Sequence, residues 1–454
     1  MFRVPVGPGS GGLPAYYVDG AAGNDTTGTG AIGAPWKTIS KALATIPDIA
    51  CNIRVAAGTY AENTGGLKYL RILRLFTNWI TIRPWNSGDS VVITDAASGT
   101  FCVNYATNTG RVRFQDITIE QAGANNQGTI SLANGTFAEF VNCTITTVNW
   151  CLYSVATGAV SLALSGCTLR QKTGATGYAL GGFLYPGDGG AITLSMINCT
   201  MEAVSAVGGT IGLLLWRSHA NGIINATISG GTYTINSDYA IQCRATTLNI
   251  SNAVVTSTAG VALVYGTDAT GTDGGTGSIT GCTVTSSSSH ALLIGDECDG
   301  VAIVGTTVNG GDHGLVLKEC RNISVTNSVL NGGTQQGLYL KAATNCSVDD
   351  CAINASTTYA IRAGINTTTG NKAGDNTITD NTVTVTGDAD IYLFEAAAGE
   401  SGGSVVDRNV YDISGTTGDI GSVYGTANIT TLAALQDAWN TYDVPTNDVN
   451  STVT

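Results

Sequence analysis

One six-residue phrase recurs through the chain and limits what it can fold into more than any other feature. It reads apolar, two polar or small residues, a small residue, then an apolar residue five places after the first. It begins at Phe114, Phe140, Leu164, Met196, Ile228, Ile250, Ile279, Ile303, Val325, Val348, Ile378 and Val405. Successive starts lie 22 to 32 residues apart. Short β-favouring phrases bounded by Gly, Asn and Asp read as strands with turns. A repeat this short, with no helix inside it, cannot be a βαβ unit. It fits one coil of a parallel β-helix, in which each coil stacks on the last at about 4.8 Å. Strands at Ile53–Val55 and Ile80–Ile82 would add coils upstream. The expectation is an all-β, single-stranded right-handed parallel β-helix of about fourteen coils, a rod of about 65 Å at that spacing.

A second phrase supports the register: a large or polar residue, a small one, then an aliphatic one. It occurs at Trp150-Cys151-Leu152, Tyr178-Ala179-Leu180, Ile211-Gly212-Leu213, Tyr239-Ala240-Ile241 and Ala259-Gly260-Val261. It then recurs every 23 residues from His290, which predicts that His290, His313, Gln336 and Tyr359 stack in one column. Five of the 12 cysteines, Cys143, Cys167, Cys199, Cys282 and Cys351, take the fourth place of the first phrase. Free Cys behaves as a small apolar residue, so this reads as an inward ladder of reduced thiols. No CxxC pair is present to suggest a zinc ribbon.

Composition narrows the function classes. Hydrophobic residues make up 43% and charged residues only 12%, which disfavours intrinsic disorder. The net charge of −13 argues against nucleic acid, whose phosphates need a basic face, and against an anionic membrane surface. No run of 18 apolar residues predicts a membrane span. Met1 to Ser10 has no basic start leading into a long apolar stretch, so no leader is read there.

Both ends carry capping patterns. Trp36, Ile39, Leu43 and Ile46 share a helical face, with Pro35 near the first turn. Thr431 can cap a helix in which Leu435 and Trp439 share a face. The expected organisation is an N-terminal arm over 1–14, a cap with the first coil over 15–66, the β-helix over 67–427 and a C-terminal cap over 428–454. Tyr16-Tyr17-Val18-Asp19, Gly23-Asn24-Asp25, Pro35-Trp36-Lys37-Thr38-Ile39 and Ala57-Gly58-Thr59-Tyr60-Ala61-Glu62 resemble the N-terminal cap of right-handed β-helix proteins. These form the pectate-lyase-like superfamily, which also holds phage tailspikes. The resemblance specifies fold. It leaves function open among lyases, hydrolases, epimerases and non-catalytic fibres.

The search for chemistry yields fragments. Asp296 and Glu297, near Glu319 of the next coil, could supply the carboxyl pair of a glycosidase, though a solvated turn explains them too. Asp312 with Lys318 resembles the catalytic coil of one pectate lyase family, which uses Lys as base beside Asp-bound Ca²⁺. Here His313 and Val316 stand where that family has Asp, so a Ca²⁺ cage is not evident and no cofactor is expected. His290 and His313 stack one coil apart, but with Gln336 next in the column no third metal ligand is evident, and no metal site is expected. The column of Tyr239, His290, His313 and Tyr359 offers groups that could stack on sugars. Alternation along the strands sends Val316, Tyr339 and Arg362 outward beside it.

The reading favoured by the sequence is a virion-associated fibre or spike, structural rather than enzymatic, that binds host-surface glycans and contacts other virion proteins through its N-terminal arm. The resemblance to tailspikes implies a homotrimer. The alternative is a secreted polysaccharide lyase or glycosidase.

Overall fold

The computed structural model describes residues 12–62, 69–95, 101–106, 110–122, 128–172, 179–202, 211–217, 221–236, 238–266, 275–296, 298–364, 373–387, 390–394, 404–416, 421–423, 426–429, 431, 433–434 and 451–453. Strands gather into three long sheets of fifteen strands each. Each coil visits the sheets in one order. Thr136–Val141 lies in the first sheet, Thr144–Thr147 in the third and Leu152–Ala156 in the second, and Ala159–Ser165 returns to the first, paired in parallel with Thr136–Val141. The fourteen parallel strands of the second sheet match the expected number of about fourteen coils. The second sheet ends in an antiparallel pair, Gly421–Val423 with Thr426–Ile429.

The recurring phrase proves to be a corner rather than a single strand. Its first residue is the last but one of a first-sheet strand and points into the core. Its third residue turns the chain, and the fifth and sixth open a third-sheet strand. At all twelve copies the third residue is left-handed, with φ between 50° and 65°: Asp116, Asn142, Gly166, Asn198, Gly230, Asn252, Gly281, Gly305, Asn327, Asp350, Asp380 and Arg408. Asn, Asp and Gly tolerate that conformation best, which is why they fill eleven of the twelve places.

The twelfth copy corrects the sequence reading by one residue. Ile378 pairs with Val406, not Val405, and Val383 with Tyr411. Starting at Val406 buries Tyr411 and leaves Val410 38% exposed. Val405 and Val406 made both registers readable in sequence, and the larger buried side chain marks the one adopted.

Cys143, Cys167, Cys199, Cys282 and Cys351 all point inward, and all twelve cysteines are free and buried. Small size is only part of the reason for Cys at the fourth place. The Cys143 thiol donates to Phe114 O at 3.4 Å and Cys167 to Phe140 O at 3.3 Å. Thr306 donates to Ile279 O at 3.2 Å, and Asn381 to Val348 O at 3.0 Å. Each serves the carbonyl that begins the preceding phrase. The position therefore favours small donors, because a buried carbonyl at a corner needs a partner.

The N-terminal end is closed by α1, Ile39–Thr45, whose Ile39, Ala42 and Leu43 are buried along with Trp36 and Ile46. Thr38 is the N-cap and its side chain accepts from Lys41 N, so Pro35 precedes the helix rather than forming its first turn. Two carboxylates complete the cap. Asp25 accepts from the backbone N–H of Lys37 and Thr38, and buried Glu62 from those of Ile39 and Ser40. Burial raises the Glu62 pKa, against the hydrogen bonds that lower it. At the other end Ala434 N–H donates to Thr431 Oγ1 at 3.2 Å, as expected of a cap; Leu435 and Trp439 lie outside the described residues, as do residues 1–11 of the expected arm. Thr452–Val453 rejoins the rod as the last strand of the third sheet.

Candidate functional site

The three sheets differ in what they turn outward. In the coils nearest His290 and Arg362, outward places on the first and third sheets are mostly small and polar, for example Ser195, Thr227, Asn249 and Ser278 in one file and Thr234, Thr256, Thr285 and Asn309 in another; earlier coils of the first sheet also expose Phe137, Ile197 and Ile223. The second sheet carries aliphatic, aromatic and cationic groups instead. One continuous file passes through Gln242, Val264, Leu293, Val316, Tyr339 and Arg362. Tyr339 and Arg362 are half-buried and outward, as alternation requires. Val316 belongs to the same file yet is only 3% exposed, so the expectation that it faces solvent is corrected: it lies between Leu293 and Tyr339 and is covered.

At the end of this file sits a compact cluster. His290 and His313 occupy equivalent corners of successive coils, tied by Ala291 N donating to His313 O at 3.0 Å. Their ring centroids are 4.4 Å apart at 86°. His313 also stacks on Tyr339, with centroids 5.7 Å apart at 18°, and the Arg362 guanidinium lies 4.7 Å from the centre of the Tyr339 ring. Asp312 Oδ2 lies 3.2 Å from His313 Nδ1 and 3.9 Å from His290 Nδ1. His290 Nδ1 is buried without a hydrogen-bond partner. Burial lowers both imidazole pKa values. For His313, at 9% exposure, burial and then the charge of His290 push it down to about 4, against the pull of Asp312. Both rings are therefore neutral near pH 7.

The structure separates residues that the sequence grouped. Asp312 precedes the strand Leu315–Lys318 and Lys318 ends it, so the two lie toward opposite ends of the strand. Lys318 Nζ instead pairs with Asp296, 3.1 Å from Oδ1 and 3.2 Å from Oδ2, and is in register with Lys341. Glu319 is a left-handed corner residue, φ 50°, whose N–H donates to Lys341 O. Glu297 lies outside the described residues. Tyr239 and Tyr359 keep their places in the column at its ends. Val261 stands between Tyr239 and His290, where the sequence placed Ala259, because Tyr239 pairs with Val261 and Leu263 with Leu292. Similarly Leu152 pairs with Gly182 rather than Leu180, and Tyr178 lies outside the described residues. His313 is more buried than a surface column predicts.

Two features were missed in sequence. Asp312 was matched with Lys318, although it adjoins His313 and the corner turns it toward both imidazoles. Further up the same sheet, Trp150 stacks on Tyr153 at 5.4 Å and 11°, Phe101 lies 6.2 Å from Tyr153, and Tyr69 lies 6.2 Å from Phe101. The signal for Tyr153 was its place next to the inward Leu152, which alternation turns outward.

A model described as a right-handed β-helix region matches residues 268–430, the part that contains the cluster. The chain is a right-handed parallel β-helix. A model of a protein of unknown function, DUF1565, matches residues 21–78, the cap held by Asp25 and Glu62. No curated protein matches. Among solved structures, tailspike protein 3 of bacteriophage CBA120 is 14% identical over 96% of this β-helix, with a TM-score of 0.48; the chain spans 61% of that protein. The A-module of the Azotobacter vinelandii mannuronan C-5 epimerase AlgE6 is 12% identical, with 89% of this chain and 90% of that one covered and a TM-score of 0.37. The GH136 lacto-N-biosidase of Eubacterium ramulus is 8% identical, with 97% and 67% covered and a TM-score of 0.29. The right-handed β-helix expected from the repeat is the fold adopted. No helix among the described residues is long and apolar enough to cross a membrane.

Proposed function

We propose that this β-helix binds an extended polysaccharide along the outward face of its second sheet, with His313, Tyr339 and Arg362 at the centre of the contact and Tyr239, His290 and Tyr359 flanking it. The observation that carries the reading is a contrast in the coils around the cluster: there small polar groups face outward on the first and third sheets, and aromatic, aliphatic and cationic groups on the second. Sugar rings present C–H faces to aromatic rings and hydroxyls or carboxylates to guanidinium. A chain laid along the rod would meet such groups at each coil, with no deep pocket required. A virion spike or fibre using this face for host-surface glycans is the role the sequence reading favoured.

A second reading has one observation in its favour. Asp312, His313, Tyr339 and Arg362 bring a carboxylate, an imidazole, a phenol and a guanidinium together on that face. An enzyme that eliminates across a uronate needs a cation to neutralise the sugar carboxylate and groups that move a proton. A polysaccharide lyase is therefore the alternative.

Affinity electrophoresis through gels cast with alginate, polygalacturonate or neutral glucans tests binding, and ultraviolet-absorbing unsaturated products test elimination. Retardation by one polymer, lost in Tyr339→Ala/Arg362→Ala with an unchanged circular dichroism spectrum, is the expected result. Unsaturated products formed by the parent and abolished by Arg362→Ala would replace the binding role with the lyase. Retardation indifferent to both substitutions would remove this face from the account.

A further inference from the structure

We infer that His290, Asp312 and His313 form a binding site for a divalent transition metal of the zinc class. Three observations converge. First, the three ligand atoms lie within 4.8 Å of one another. Tetrahedral zinc, with Zn–N of about 2.0–2.1 Å, holds its ligand atoms about 3.4 Å apart, so side-chain rotations of about an ångström close the site. Second, His313 is nine-tenths buried with its Nδ1 paired to Asp312 Oδ2 at 3.2 Å, and His290 Nδ1, 3.9 Å from the same oxygen, is buried without a hydrogen bond. A buried polar atom without a partner is costly, and one that converges with a second imidazole on a shared carboxylate matches what a cation would satisfy. Third, the carboxylate is held from behind. Thr334 Oγ1 donates to Asp312 Oδ1 at 3.0 Å, which leaves Oδ2 to the imidazoles. The Asp312 carbonyl accepts from Gly333 N at 3.0 Å and Gln335 N at 3.1 Å of the next coil. Hydrogen bonds that orient a ligating carboxylate are the usual support of a metal site.

The donor set selects the ion. Two neutral imidazoles and one carboxylate suit Zn²⁺, Co²⁺ or Ni²⁺, whereas Ca²⁺ and Mg²⁺ call for oxygen ligands throughout. The Asp312 side chain is 32% exposed and that of His290 29%, so one side of the site stays open. A fourth ligand can reach it from solvent or from a sugar bound on the second sheet. The site rests on ligand geometry alone and is independent of whether that face binds a polysaccharide.

The test uses the folded protein, freed of metal by a chelator and dialysed, with no glycan present. Competition with a chromophoric zinc chelator measures affinity and stoichiometry, and Co²⁺ absorption reports geometry. The expected results are one Zn²⁺ per chain, an intense tetrahedral-type Co²⁺ spectrum, and affinity lowered at least about tenfold in Asp312→Asn and in His290→Ala. Thr334→Val, which touches only the orienting hydrogen bond of an exposed residue, lowers affinity by about tenfold, within the range for outer-shell changes. His290→Ala and Thr334→Val stay informative if Asp312→Asn disturbs the corner, since circular dichroism identifies a misfolded variant. No Zn²⁺ bound, zinc bound equally by parent and variants, or Ca²⁺ bound here in preference to Zn²⁺ would each overturn the assignment.

Discussion

The left-handed corner at the third place of each phrase gives a prediction whose size follows from backbone sterics. Asn327 has φ 50°, is exposed, and follows first-sheet residues Ser324–Thr326. Its neighbours in the corner file are Gly305 and Asp350, with φ 57° and 51°. A residue other than Gly, Asn or Asp in this region costs about 1–2 kcal/mol, and a β-branched one lies at the upper end. Because Asn327 buries no side chain, Asn327→Val should lower stability by about 2 kcal/mol through the backbone alone. Asn327→Gly should stay within about 0.5 kcal/mol, since relief of steric cost offsets the greater freedom of the unfolded chain. Thr326→Val, one residue earlier on a strand, is the control and should be near neutral. A rod of stacked coils need not unfold in one step, so urea midpoints are best joined by hydrogen exchange of the flanking coils. If Asn327→Val matches Thr326→Val in both measurements, the corner is not left-handed in solution and the account of the phrase is wrong.

Two further outcomes follow. All twelve thiols are free and buried; burial raises the pKa of Cys51 and Cys351 to about 11, and the hydrogen bond with the Cys143 thiol, with burial, raises that of Cys167 to about 12; a thiol reagent at pH 8 should find almost none in the native protein and close to twelve in denaturant without reductant, and a low count in denaturant would contradict the reduced ladder. In metal-free protein the folded His313 pKa of about 4 lies below its ordinary 6.5, so the unfolded chain takes up the proton first: stability is complete above pH 6.5 and falls as pH drops toward 4, by at most about 3 kcal/mol. His313→Gln should flatten that dependence in thermal melts, and an unchanged slope would place the effect elsewhere.

Much of this structure could be read from sequence because its constraints are local and repeated. An apolar residue, an Asn, Asp or Gly two places on, and most often a small donor next are the demands of one corner; the second is met at eleven of twelve copies, and Ile117, Gly231 and Ala253 are the places without a side-chain donor. What failed was register where the pattern is degenerate. A slip of two residues preserves the alternation, so the pattern favoured the aliphatic Leu180 where Gly182 pairs with Leu152 and placed Ala259 where Val261 pairs with Tyr239. Val405 and Val406 posed the same problem at a slip of one, because both are valine. The candidate site was harder still. Asp312 and Lys318 are six apart in sequence, but an extended strand carries them toward its opposite ends, while His290, 22 residues before Asp312, stacks beside it. The two histidines were found in the column, and their shared carboxylate was not, because a corner turns Asp312 in a direction that strand alternation does not describe.

The central claim is that the second sheet's outward face is the recognition surface, and a matched pair of double variants tests it most directly. Tyr339→Ala/Arg362→Ala removes an aromatic ring and a cation from that face, whereas Thr256→Ala/Thr285→Ala makes an equally exposed change on the third sheet. Dissociation constants for the polysaccharide that retards the parent, measured by isothermal titration calorimetry, should rise about tenfold or more for the first pair, which corresponds to about 1.4 kcal/mol, and stay unchanged for the second. Equal affinities for both pairs and the parent, or a loss confined to the third-sheet pair, would contradict it.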